Sequence, residues 1–92
     1  MTVHLWSRVS SLGQSPAYQN EQLLKEYPEG KLWECKISGA AKRKPVRESM
    51  LEAMKEGDLV VATRLSRISR TLKDLLGFFE AVESKGAHIR IL

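Results

Sequence analysis

One uninterrupted apolar run, from Leu59 to Thr63, constrains the fold more than any other feature of the sequence. A strand with one face in solvent alternates apolar and polar residues, whereas this run does not alternate and contains β-branched side chains. Such runs are typical of parallel strands that are covered by helices on both faces. The sequence therefore predicts an α/β domain with this strand at the centre of its sheet.

The other apolar segments alternate between strand and helix patterns along the chain. Ser15 and Pro16 supply an N-cap and a first helical residue, and Gly86 follows the last helical stripe. The predicted elements around the central run are strands at 3–7, 31–35 and 87–92 and helices at 16–27, 45–57 and 72–83. This βαβαβαβ order predicts a three-layer α/β fold with a mostly parallel, four-stranded sheet and right-handed crossovers.

Each predicted helix carries an apolar stripe, which we expect to face the sheet. The stripes are Leu23, Leu24 and Tyr27 in the first helix, Val46, Met50, Leu51 and Met54 in the second, and Leu72, Leu75, Leu76, Phe79 and Val82 in the third.

Composition bounds the possible partners. The 92 residues carry a formal net charge of +4, which permits a polyanionic partner without requiring one. Basic residues form two clusters, Lys42, Arg43, Lys44 and Arg47, and Arg64, Arg67, Arg70 and Lys73. No apolar run approaches the roughly 20 residues that span a bilayer, and the N-terminus lacks a basic leader, so we expect a cytoplasmic protein without a membrane partner. The lone Cys35 is expected to be a reduced, small apolar residue.

Three predicted loops follow the carboxyl ends of strands, at residues 8–14, 37–44 and 64–70. Parallel α/β sheets bind ligands at this edge. The loops are therefore expected to bring Ser10, in the first of them, next to both basic clusters.

A serine hydroxyl needs a base, a metal or strong local electrostatics to act as a nucleophile. His4 and His88 fall within predicted strands, where a structural role is more common, and no zinc or carboxylate cluster is recognisable. Neither a Walker pattern nor a dinucleotide fingerprint is present. Arginines remain, and they can stabilise a phosphoryl transition state. From its position alone, Ser10 is nevertheless more often an ordinary loop serine.

Five motifs in order resemble the N-terminal catalytic domain of the serine recombinases, the resolvase/invertase family, over essentially the whole chain. They are Arg8-Val9-Ser10 with Gln14, then Gln19, Ser38-Gly39, Glu56-Gly57-Asp58, and Leu65-Ser66-Arg67-Ile68-Ser69-Arg70. The resemblance implies a resolvase-like domain of flavodoxin-like topology.

The resemblance also implies the roles of the site residues. Ser10 would attack a DNA phosphodiester and form a covalent phosphoserine, without a metal or other cofactor. Arg8, Arg67 and Arg70 would hold the phosphate, and Gln14 and Gln19 would order the serine loop. Supporting or phosphate-binding positions are Gln19, Ser38, Arg43, Lys44 and Ser66. DNA is the implied partner, and the full-length parent is expected to form a dimer or tetramer.

Three departures from the family pattern keep an alternative open. Lys44 stands where the family has an arginine, and Ser66 stands where it has an aspartate. Family members also continue with a dimerisation helix and a DNA-binding domain, so we expect residues 1–92 to be a truncated catalytic domain. The alternative is a degenerate, non-catalytic recombinase-like domain that binds DNA or a protein. A flavodoxin-like phosphate-binding module is disfavoured, because it would not need both arginine motifs.

Overall fold

A computed structural model describes residues 1–9, 17–36, 45–69 and 71–92. Its elements, in chain order, are β1 (Val3–Val9), α1 (Ala17–Glu26), β2 (Lys31–Lys36), α2 (Pro45–Ala53), β3 (Leu59–Ala62), α3 (Leu65–Ile68), α4 (Leu72–Ser84) and β4 (His88–Ile91). The predicted alternation of strands and helices is confirmed. The short helix α3 is an addition, because its residues carry loop-like serines and arginines and were expected to form a loop.

The sheet has four strands in the order β2-β1-β3-β4, and every neighbouring pair is parallel. The run from Leu59 is one of its two inner strands, as expected. Chain order reverses between β1 and β3, which is the topological switch point at which doubly wound sheets bind ligands. A site of this fold is therefore expected between the carboxyl ends of β1 and β3.

Helices cover both faces of the sheet. Because successive strand residues point to opposite faces, Leu5 packs with Leu23 of α1 on one side, whereas Trp6 belongs to the core beneath α2 and α4 on the other. Leu5, Trp6, Val60 and Val61 are all fully buried. The predicted three-layer architecture is confirmed.

The inward faces of two helices differ from the prediction. Leu72 and Leu76 are 71% and 49% exposed, while Phe78 is buried with Val82. Apolar residues occupy more than one side of α4, so periodicity alone did not identify the face that contacts the sheet. In α1, Leu23 is buried but Leu24 is 37% exposed. The predicted N-cap at Ser15 and Pro16 lies outside the described residues.

A buried polar cluster closes the amino-terminal edge of the sheet. Asp58 accepts hydrogen bonds from His4 Nε2 at 2.9 Å and from the backbone N–H groups of Thr2 and Lys55 at 2.9 and 3.0 Å. These donors, His4 first, hold the pKa of Asp58 well below its ordinary value. His4 Nδ1 accepts from Trp33 Nε1 at 3.1 Å, so the ring proton lies on Nε2. The structural role expected for His4 is confirmed.

Candidate active site

Arg8 lies near the carboxyl end of β1, at the switch point of the sheet. Its side chain is 4% exposed, and Nη2 donates a hydrogen bond to the backbone carbonyl of Ser66 in α3. A guanidinium is costly to bury unless its N–H groups are satisfied. The contact therefore fixes the end of β1 to the segment that follows β3.

Gln19 holds the backbone of the same residue. The Arg8 N–H donates to Gln19 Oε1 at 3.1 Å, and Gln19 Nε2 donates to the Arg8 carbonyl at 2.8 Å. β3 pairs with β1 only as far as Trp6 and Ala62, so the polar backbone of Arg8 lies beyond that ladder. Gln19, itself 7% exposed, replaces the missing strand partner.

Arg67 completes the connection between β1 and α3. Its Nη1 donates to the Arg8 carbonyl at 3.3 Å, and its own carbonyl accepts from Trp6 Nε1 at 2.7 Å. Trp6 is fully buried, and a buried indole N–H normally finds a partner. The strand pattern of the sequence does not mark Trp6 as a site residue; the need of a buried indole N–H for a partner is the signal that could have identified it.

Arg47, from the first basic cluster of the sequence, is held by a carboxylate and a backbone carbonyl. It donates from Nη1 and Nη2 to the two carboxylate oxygens of Asp74, both at 2.9 Å, and from Nη1 to the Ile68 carbonyl at 3.0 Å. Asp74 also accepts from Ser69 Oγ at 2.5 Å, and Arg47 lies over the Phe78 ring. Arg47 therefore joins α2 to the α3–α4 junction.

A groove opens beside Gln19 and Arg67, between α1 and the segment that joins β3 to α3. We call it the α1–α3 groove; its volume is about 320 Å³, and its lining consists of Tyr18, Gln19, Gln22, Thr63, Arg64, Arg67 and Leu92. Arg64 is exposed, and among the described residues its guanidinium makes no hydrogen bond or ion pair. The groove presents positive charge next to the end of β1.

The structure brings together four of the predicted site residues, Arg8, Gln19, Ser66 and Arg67. Ser66 contributes only its backbone carbonyl to these contacts, and the residue as a whole is exposed. The remaining predicted residues lie outside the described part of the chain; they are Ser10, Gln14, Ser38, Arg43, Lys44 and Arg70.

No helix in the described part of the chain is long and apolar enough to cross a membrane. No group of three or more His, Cys, Asp or Glu residues in residues 1–9, 17–36, 45–69 and 71–92 is placed to hold a metal ion.

Residues 3–92 match the family model of the resolvase N-terminal domain. The chain belongs to this family. This membership confirms the resemblance to serine recombinases and the resolvase-like fold.

Individual resolvases are similar to this protein over most of its length. A resolvase of Clostridium perfringens (strain 13 / Type A) is 40% identical over 89 residues, which cover 95% of this chain and 47% of that protein. The transposon Tn1546 resolvase of Enterococcus faecium is 34% identical over 92% of this chain and 44% of its own length. The transposon Tn917 resolvase of Enterococcus faecalis is 38% identical over 85% of this chain and 42% of its own length. The chain thus spans less than half the length of these relatives.

Proposed function

We propose that this resolvase-family chain is the catalytic domain of a serine site-specific DNA recombinase. Ser10 Oγ attacks a DNA phosphorus and loses its proton, a new Oγ–P bond forms, and the bond from phosphorus to the 3′-oxygen breaks. The 3′-oxygen takes up a proton and leaves as a hydroxyl. The reverse attack by a 3′-hydroxyl on the phosphoserine rejoins DNA, so the covalent bond conserves the energy of the broken one.

The observation that carries the proposal is the convergence of Arg8, Gln19 and Arg67 at the switch point. Arg8 lies two residues before Ser10 in the sequence. Both backbone polar groups of Arg8 are held by side chains, which gives the serine segment a fixed starting point. A nucleophile benefits from such an anchor, because a small displacement from the attack geometry is costly in rate.

Arg67 is suited to bind the scissile phosphate. A guanidinium carries five N–H donors, and within the described part of the chain Arg67 uses its side chain for a single hydrogen bond, from Nη1 to the Arg8 carbonyl, so other donors can bind phosphate oxygens. Its fixed charge would stabilise the negative charge that develops on the equatorial oxygens. Arg70, three residues further on, and Arg43 or Lys44 would add charge, while Gln14 and Ser38 would order the reacting groups.

The serine at position 66 is compatible with this proposal. The family aspartate is replaced here, but the contact with Arg8 uses the carbonyl of Ser66, which every residue type supplies. The loss of the carboxylate therefore leaves this connection between β1 and α3 intact. DNA is the proposed partner, together with further copies of the full-length parent, as membership of the resolvase family implies.

Covalent trapping tests the proposal. The full gene product is incubated with DNA sites that carry a nick beside the cleavage position, so that the released fragment diffuses away and rejoining fails. We expect a protein–DNA adduct that disappears in Ser10→Ala and persists in Ser11→Ala, the matched control at the next position. An adduct that survives Ser10→Ala, or no adduct from the unaltered protein, would refute the catalytic assignment.

A further inference from the structure

We propose that the α1–α3 groove binds the end of a DNA strand, with Tyr18 stacking on an unpaired base and Arg64 binding a neighbouring phosphate. This inference rests on the proposed function, because the groove adjoins the residues that anchor the serine segment. It adds a base-binding subsite to the phosphate-binding site proposed above.

Tyr18 is placed as a stacking platform. Its side chain is 71% exposed although it is aromatic, and it lies one residue before Gln19, whose amide holds the Arg8 backbone. Its hydroxyl lies 3.4 Å from Gln22 Nε2, a weak contact on the helix surface. Burial in the core does not account for the ring, and an aromatic face in water gains free energy when a flat base covers it.

The charge of the groove favours a nucleic-acid strand. Arg64 and Arg67 both line it, together with uncharged Gln22 and Thr63. A groove at the opposite edge of the sheet, of about 540 Å³, is instead lined by Glu26 and Glu29. Phosphate oxygens would therefore be attracted to the first groove and repelled by the second.

The base must be unpaired or terminal. A base inside a duplex already has neighbours on both faces, so it offers no free face to Tyr18. Strand cleavage creates terminal bases next to the broken phosphodiester, and single-stranded DNA offers such faces along its whole length. The groove is thus expected to prefer single strands and strand ends over a blunt duplex.

Equilibrium binding tests the subsite apart from cleavage. Fluorescence anisotropy compares a labelled single strand of about 16 nucleotides with a blunt duplex of the same sequence, using Ser10→Ala protein throughout. In this background we expect Tyr18→Ala to weaken single-strand binding at least about fivefold and Tyr18→Phe to retain it. Arg64→Gln should reduce the slope of the logarithm of the binding constant against the logarithm of the salt concentration by about 0.7.

Lys55→Gln is the charge-matched control, because Lys55 is exposed and precedes β3 at the opposite edge of the sheet. Unchanged single-strand binding by Tyr18→Ala, an equal loss in Tyr18→Phe, or an equal change in slope in Lys55→Gln would overturn the subsite. Absence of single-strand binding by Ser10→Ala protein would also overturn it. Since no cleavage occurs in this assay, a failed adduct experiment and a failed subsite experiment give separate answers.

Discussion

Replacement of Gln19 by methionine should reveal how much the anchor at the end of β1 contributes to stability. Methionine matches glutamine in length and in helix propensity, so the change removes hydrogen bonds with little effect on packing or on α1. The Arg8 N–H then loses its 3.1 Å acceptor, and the Arg8 carbonyl loses its 2.8 Å donor. Arg67 Nη1 still reaches that carbonyl, at 3.3 Å, so the substitution weakens the hydrogen bonding of the Arg8 N–H more than that of the carbonyl.

The loss of unfolding free energy in Gln19→Met follows from these contacts. A buried donor without a partner costs about 1–3 kcal/mol, and the weakened carbonyl adds a smaller amount, so we expect Gln19→Met to lower the free energy of unfolding by about 2 kcal/mol. For a domain of this size that corresponds to a melting temperature lower by roughly 8–16 °C. Gln22→Met, one turn along α1 at an exposed position, should change the free energy by less than about 0.5 kcal/mol.

Urea denaturation followed by circular dichroism measures the stability difference, and amide hydrogen exchange measures the anchor itself. The exchange of the Arg8 N–H should accelerate in Gln19→Met beyond the change in global stability, but not in Gln22→Met. Equal stability of Gln19→Met and the unaltered protein, with Arg8 still protected, would refute the argument that Gln19 holds the end of β1.

Three other contacts carry predictions of the same kind. Trp6→Phe keeps a buried ring but removes the donor to the Arg67 carbonyl, so urea denaturation should show a loss of about 1–3 kcal/mol; unchanged stability would contradict that role. Arg47→Lys keeps the charge but cannot bind both Asp74 oxygens and a carbonyl, so we expect a loss of about 1–2 kcal/mol, and equal midpoints would contradict it. Because the pKa of Asp58 is lowered by folding, its stabilising effect is complete above its ordinary pKa of 3.8 and is lost as the pH falls below that value. Thermal melts should therefore show the stability difference between Asp58→Asn and the unaltered protein shrinking below about pH 4, whereas a difference independent of pH would contradict the pKa argument.

The layers of the fold, and the contact between the end of β1 and the segment after β3, could be predicted from sequence because they depend on patterns of short range. The run from Leu59 indicated a strand buried on both faces, and alternation with helices implied a parallel sheet with its ligand edge at the carboxyl ends. Arg8 and Arg67 consequently could be expected to meet, and in the structure Arg67 Nη1 lies 3.3 Å from the Arg8 carbonyl oxygen.

What sequence did not reveal depends on pairings between distant residues. The inward turn of Arg47 depends on Asp74, 27 residues later, and nothing local distinguishes a paired arginine from a solvated one. The face of α4 was predicted only in part. Leu75, Phe79 and Val82 pack on the core as expected, but Leu72 and Leu76 are exposed and Phe78 is buried, because leucine at 72 and 76 fits an apolar stripe as well as phenylalanine at 78. The helix α3 was missed because its stability comes from contacts with Trp6 and Arg8, not from its own propensity.

The central claim is that Ser10 is the nucleophile, and the position of the covalent bond tests it most directly. The trapped adduct is digested with nuclease and protease, and mass spectrometry locates the remaining nucleotide on the peptide chain. We predict a nucleotide linked through phosphate to Ser10, two residues beyond the Arg8 backbone that Gln19 and Arg67 hold. A nucleotide linked to Ser7, Ser11 or Ser38, or to a residue of another type, would contradict it.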